Sequence, residues 1–312
     1  MKQRMKNSAN VQGYIFSHTL ANRVSKAGVP FINGRISVAT DESGTNVIDV
    51  NFSYVSEYFG KTDKVNQSYQ VLQNIIDNAK TFEEVGNQAT KVRIDGSVET
   101  NDFVTRDGEM ASPKRVAGSF IHILNGPISD NPATFDVDMV ITSTVEREQN
   151  DMADYLEIRG YTFDFRGTAI PLSLNVRTQA AIDYFLGMDI SQSNPLCSEI
   201  KGEIISTVIE TSYEEEGAFG EPIVHTTQRN LRTWDVNFAS KEPYEWDDES
   251  FITKKEMKNS LNAREEHLAD VKKRHDDYII AQRDGGQNFS APTVKKSAPV
   301  EDDDSDDLDF SF

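Results

Sequence analysis

Cysteine is almost missing from these 312 residues: Cys197 stands alone. A single thiol builds neither an internal disulfide framework nor a cysteine-based zinc site, and it fits a reducing cytosol. Long apolar runs are missing too; none approaches the roughly 20 residues of a membrane span. The opening Met-Lys-Gln-Arg-Met-Lys has no apolar stretch of the signal-peptide kind. The expectation is a cytoplasmic chain with no membrane partner. Catalytic signatures are equally scarce. The five histidines (18, 122, 225, 267 and 275) are scattered, and no pair has a helical zinc-chelating spacing. His267 and His275 are read as solvent-facing. There is no Gly-x-x-x-x-Gly-Lys-[Ser/Thr] phosphate loop and no Gly-x-Ser-x-Gly nucleophile turn. The acidic clusters Asp247/Asp248 and Glu214–Glu216 fall in expected loops, where such groups are solvated. The sequence therefore names no catalytic residue, no metal ligand and no cofactor, and the expectation is a protein that is not an enzyme.

Charge of one sign is missing in two places. Residues 1–40 hold Lys2, Arg4, Lys6, Arg23, Lys26 and Arg35 but no acid; the first is Asp41. Residues 301–312 hold seven carboxylates, at Glu301, Asp302, Asp303, Asp304, Asp306, Asp307 and Asp309, with no base. Between these extremes the total of −19 is unevenly spread: +1 over residues 1–125, −12 over 126–240 and −1 over 241–300. A basic face on an otherwise acidic chain can still take a phosphate backbone, with the surrounding field limiting its orientation.

What is present is alternation. Val11–His18, Phe31–Thr40, Val47–Val55, Lys91–Thr100 and Arg115–Leu124 carry the period of two that marks strands. Tyr69, Leu72, Ile75/Ile76 and Ala79 instead fall at helical spacing within Gln67–Lys80. Three strands, a helix and a two-stranded hairpin follow the order of an OB-fold barrel. The order repeats in Phe135–Val145, Tyr155–Phe165, Ile170–Val176, a helix over Thr178–Met188, then Ser198–Tyr213 and Val224–Ala239. Ile94-Asp-Gly-Ser-Val98 and Ile200-Lys-Gly-Glu-Ile204 correspond at an offset of 106 residues, each after the helix of its unit. The competing arrangement is one larger β-sandwich.

The fold expectation is mainly β: tandem OB-fold-like barrels, each with one helix, followed by a long C-terminal helix and a disordered acidic tail. The boundaries are 1–125 for a binding barrel, 126–240 for an acidic second barrel and 241–283 for a connector and polar helix. Residues 284–300 form a flexible linker and 301–312 the tail. Thr253-Lys-Lys-Glu256 has capping-box spacing at the start of the long helix. Its stripe of Met257, Leu261, Leu268, Val271 and Tyr278 is thin, and suits packing on the second barrel or on another copy.

The first unit combines cations with aromatic faces, the mixture that single-stranded nucleic acid needs. Phe31 and Arg35 alternate outward on one strand, Lys91 and Arg93 on another. The hairpin loop supplies Phe103, Arg106, Lys114 and Arg115, and an earlier loop supplies Arg23 and Lys26. Tyr14 and Phe16 lie out of phase with Val11 and Ile15, and they and Phe31 are candidates for the cleft or for the core. Phe52 and Tyr54 share the phase of Ile48 and Val50 and are assigned to the core. The second unit, at −12, is assigned to scaffolding or protein contact.

The acidic run ends in Leu308, Phe310 and Phe312. A basic, aromatic barrel, a flexible linker and an acidic, aromatic C-terminus together resemble the replicative single-stranded DNA-binding proteins of bacteria and their phages. Bacterial members end on Pro-Phe, where this chain has Ser311-Phe312; two barrels and an added helix resemble a phage version more closely. The resemblance implies single-stranded DNA as ligand and action in the host bacterial cytoplasm. It also implies replication or recombination proteins as partners of Asp302, Asp303, Asp304, Asp306, Asp307, Asp309, Phe310 and Phe312. Two alternatives remain from the sequence: a structural or adaptor β-sandwich of a virion, and a strand-annealing recombination protein. Oligomeric state is not legible.

Overall fold

The computed structural model describes residues 5–60, 62, 64–148, 154–215 and 223–283; the linker and acidic tail read from the sequence lie outside these. The first unit contains β1 (Asn7–His18), β2 (Ala21–Val24), β3 (Pro30–Ala39), β4 (Val47–Ser56), α1 (Gln67–Asn78), α2 (Phe82–Val85), β5 (Lys91–Thr100), β6 (Phe103–Val104), β7 (Met110–Ala111) and β8 (Lys114–Ile123). The second contains β9 (Ala133–Arg147), β10 (Tyr155–Phe163), β11 (Ala169–Val176), α3 (Gln179–Leu186), β12 (Leu196–Glu215) and β13 (Ile223–Ala239), and α4 (Lys254–Arg283) follows.

The strands close into two five-membered rings. In the first, β1 pairs with β3, β3 with β4, β4 with β8, β8 with β5 and β5 with β1; only β4–β8 is parallel. The second repeats this through β9, β10, β11, β13 and β12, again with one parallel pairing, β11–β13. This is the OB-fold connectivity, twice, with α1 and α3 in matching places between the third and fourth strands. The period-two residues fill the interiors: Ile36, Val38, Val50, Ile94 and Val98 in one barrel, Leu156, Ile158, Leu174 and Ile200 in the other, all buried in a single cluster that Phe185 of α3 joins.

That cluster is continuous because the barrels share a sheet. The first halves of β1 and β9 pair antiparallel, from Asn7–Val137 to Val11–Ala133. Each barrel also lends its fourth–fifth strand hairpin to the other. Asn46, just before β4, accepts the backbone N–H of Ser206 at its side-chain oxygen at 2.8 Å. In the opposite sense, Lys114 Nζ donates to the Ser173 carbonyl in β11 at 2.6 Å.

The long helix opens on the expected capping box: Thr253 N–H donates to the Glu256 carboxylate at 2.9 Å, and Glu256 N–H to Thr253 Oγ1 at 3.3 Å. Its first turns settle on the second barrel. Met257 is buried with Val140, Phe163, Ala169, Cys197, Phe251 and Ile252, and Leu261 packs against them. Burial pushes the Cys197 thiol up to about 12. Among the described residues no helix is long and apolar enough to cross a membrane.

Candidate nucleic-acid interface

The outer face of β2, β3 and β4 combines stacked rings with cations. Phe31 stacks on Tyr54, with ring centroids 4.4 Å apart and planes 27° from parallel. Arg23 lies directly opposite Phe31 in the β2–β3 pairing, on the same face. Arg35 is further along β3, its guanidinium 3.1 Å from Asp49. Lys26 is exposed in the turn between β2 and β3. Neither Arg23 nor Lys26 has an ion pair to another described residue.

Tyr54 corrects the sequence reading, which placed it in the core. The pairing slips between Ile32 and Gly34: Ile32 faces Val55 and Gly34 faces Phe52, so Ser53 and Tyr54 together oppose Asn33. This bulge reverses the alternation along β4. Phe52 stays inside, Val55 returns inside three positions later, and Tyr54 is left 52% exposed. The signal was available: Phe52 and Val55 are both strongly apolar at a spacing that no unbroken strand buries on one face.

The other expected site residues divide. Tyr14 and Phe16 do point away from the barrel interior, but the short helix α2 covers them. The Phe82 ring lies 5.8 Å from Tyr14 and stacks on Phe16 at 5.9 Å, and Tyr14 is buried in that small cluster. They are lining beneath α2 rather than open platform. Lys91 is half-buried, and its ammonium donates to the Gly126 carbonyl at 2.6 Å. Arg93 is exposed and pairs with Asp95 at 3.0 Å. It sits opposite Gln12 of β1 and His122 of β8, whereas β3 joins β1 only from Tyr14 onward and Arg35 lies past the His18–Ile36 pair. Roughly 20 Å of β1 therefore separates the two levels. Arg93 belongs to a second surface, with His122 and the exposed ring of Phe120, and the structure does not bring it to Arg35.

The loop between β5 and β8 is itself a hairpin, β6–β7, with Phe103 opposite Ala111. Phe103 is 42% exposed, and Arg106 stands exposed in the turn. Arg115, where β8 begins, is held by Glu99 at 2.8 Å and Asn101 at 2.8 Å. Lys114 departs most from expectation. It turns out of the loop toward the second barrel, its ammonium 5.8 Å from the centre of the Trp234 ring. Burial there lowers its pKa to about 8, although Glu157 and Asp235 pull the other way. The structure thus groups Arg23, Lys26, Phe31 and Arg35 with Tyr54 on one face. It places Phe103 and Arg106 on the β6–β7 hairpin and leaves Tyr14, Phe16, Lys91, Arg93 and Lys114 elsewhere. The tail residues Asp302–Phe312 lie outside the described residues.

The corresponding face of the second barrel is built differently. Glu157 stands opposite Asn175 as Arg35 stands opposite Asn51, so a carboxylate occupies the place of the first barrel's cation. Burial disfavours the Glu157 charge, but Arg159 and Arg147, at 3.1 and 2.8 Å, outweigh it and hold the carboxyl below its usual range. Arg177 is likewise 3.0 Å from Asp235. These cations already have carboxylate partners. Among the described residues no group of histidine, cysteine and carboxylate side chains is arranged to hold a metal ion.

A family model described as YorF matches residues 6–274. No curated protein matches the chain. Among solved structures, the wild-type single-stranded DNA binding protein from Thermus aquaticus is similar at 12% identity and a TM-score of 0.46, over 78% of this chain and 96% of that one. A deletion mutant of the same Thermus aquaticus protein is similar at 11% identity and a TM-score of 0.46, over 78% of this chain and 97% of that one.

Proposed function

The chain belongs to the YorF family, and we propose that it is a non-catalytic single-stranded DNA-binding protein acting in replication or recombination, of bacteriophage type. The observation that carries this reading is the Phe31–Tyr54 stack on the outer face of an OB barrel, with Arg23 opposite Phe31 and Arg35 on the same strand. Stacked rings offer faces on which unpaired bases continue the stack, at about 1–3 kcal/mol per base. The flanking guanidiniums neutralise phosphates without reading sequence. Duplex DNA hides its base faces, so the arrangement favours single strands.

The acidic C-terminus completes the proposal. Its seven carboxylates mimic a polyanion and compete for the basic face, while Phe310 and Phe312 recruit proteins of the same replication or recombination system. Binding of DNA frees the tail for those partners. Fluorescence polarisation of labelled oligo-dT and of a duplex of equal length, each at two salt concentrations, tests the reading. The expected result is tighter binding of oligo-dT that weakens steeply with salt. Equal affinity for both, or none for either, contradicts it.

A further inference from the structure

A heavily bonded charge lies on α4, away from the stacked rings. Arg264 is 8% exposed. It shares a helical face with Met257 and Leu261, which anchor α4 on the second barrel. Beyond them its guanidinium reaches into the first barrel. Nη1 donates to Asp102 Oδ2 at 2.6 Å and to Thr100 Oγ1 at 3.1 Å. Nη2 donates to Asp102 Oδ1 at 2.5 Å and to Ser112 Oγ at 3.0 Å. These three partners form the base of the β6–β7 hairpin: Thr100 ends β5, Asp102 precedes Phe103, and Ser112 follows β7. Asp102 keeps only 5% of its side chain exposed. His267, one turn further along α4, also approaches Asp102, at 3.1 Å.

We propose that Arg264 is a positioning residue for nucleic-acid binding: through Asp102 it fixes the β6–β7 hairpin so that Phe103 and Arg106 are held ready for a bound strand. The inference rests on the single-strand reading above and adds a role for α4 and the second barrel. A hairpin with strands only two residues long has little stability of its own. A planar guanidinium bonded at both edges fixes orientation as well as distance. The second barrel thus acts on the site without contacting DNA there. Its helix sets the geometry of a loop that belongs to its neighbour.

The test uses the full chain. Wild type, Arg264→Gln, Arg264→Lys and Phe103→Ala/Arg106→Ala, alone and combined with Arg264→Gln, are titrated with oligo-dT. Hydrogen exchange of peptides covering residues 101–113 is followed without DNA. Arg264→Gln is expected to speed hairpin exchange at least tenfold and to weaken oligo-dT binding about tenfold. Arg264→Lys should restore part of both. In the Phe103→Ala/Arg106→Ala background the same substitution should cost almost nothing, because the groups it positions are gone; a general loss of fold would lower affinity in both backgrounds. Unchanged hairpin exchange, or an equal affinity loss in both backgrounds, overturns the inference. Failure of the wild type itself to bind oligo-dT instead sinks the single-strand reading and this inference with it.

Discussion

Ala9 lies opposite Phe135 in the β1–β9 pairing, and the two occupy equivalent places in their own barrels, opposite Gly96 and Gly202. The pairs on either side are mirror exchanges: Ser8 with Asp136 and Asn10 with Thr134, Asn7 with Val137 and Val11 with Ala133. A local two-fold axis therefore passes through the Ala9–Phe135 pair. The repeated pentapeptides Ile94–Val98 and Ile200–Ile204 lie one strand away on either side. This is how two equivalent units meet in a C2 dimer, here within one chain.

Both repeats keep glycine at their centre for the same local reason: each sits at a slip in pairing with the fifth strand of its own barrel. A Cβ on Gly96 would stand 2.0 Å from the Ala117 carbonyl oxygen, and one on Gly202 2.1 Å from that of Asp235. Backbone cannot step aside as a side chain can. Gly96→Ala and Gly202→Ala should each lower the thermal melt by an amount at or above the upper end of the roughly 1–3 kcal/mol of ordinary overpacking. A melt unchanged by either would mean the strands are not so closely apposed.

Phe31→Ala and Tyr54→Ala should each weaken oligo-dT binding by about 1–3 kcal/mol, or roughly 5- to 150-fold. Both rings are partly exposed, so the melt should move only a few degrees. Charge reversal at Arg23 and Arg35 should also flatten the dependence of log affinity on log salt, by about one unit for each phosphate no longer neutralised. Titrations at four salt concentrations measure both effects.

Lys114 predicts a pH-dependent cost. Its folded pKa of about 8 lies below the ordinary 10.5, so below pH 8 the folded state carries a buried charge that the unfolded state solvates freely. Between about 8 and 10.5 the unfolded chain keeps the proton that the folded chain has released, and stability from this group rises with pH. Lys114→Met should therefore melt higher than wild type at pH 7, with the advantage shrinking toward pH 10. The groups facing the ammonium are the Ser173 carbonyl, the Trp234 ring, Glu157 and Asp235. A variant less stable at pH 7, or a pH-independent difference, contradicts this.

Cys197 should be inert while the protein is folded. It is 1% exposed, and burial pushes its thiol up to about 12, so almost no thiolate forms at neutral pH. Labelling with a maleimide should follow global unfolding in denaturant, with no fast phase in native buffer.

Much of the fold was legible because period-two alternation and the order of elements are local properties. Lys91–Thr100 forms the strand expected of it, and the Thr253–Glu256 capping box opens the helix it announces. The glycine-centred repeat pointed to duplication. The site was only partly legible, since what decides it are relations between distant segments. Tyr54 is exposed by a slip in pairing with β3; Tyr14 and Phe16 are covered by Phe82, more than sixty residues later. Lys114 is claimed by Trp234 and Ser173 of the other barrel. Arg35 and Arg93 each alternate outward as expected, yet a closed barrel has many outward directions, and alternation does not distinguish them.

Photocrosslinking of a 5-iodouracil-substituted oligo-dT, followed by peptide mapping, tests the central claim most directly. Adducts at Phe31 and Tyr54, suppressed when excess unlabelled oligo-dT competes, are the predicted result. Adducts confined to the second barrel or to the Phe120 surface, with none on β3 or β4, would contradict it.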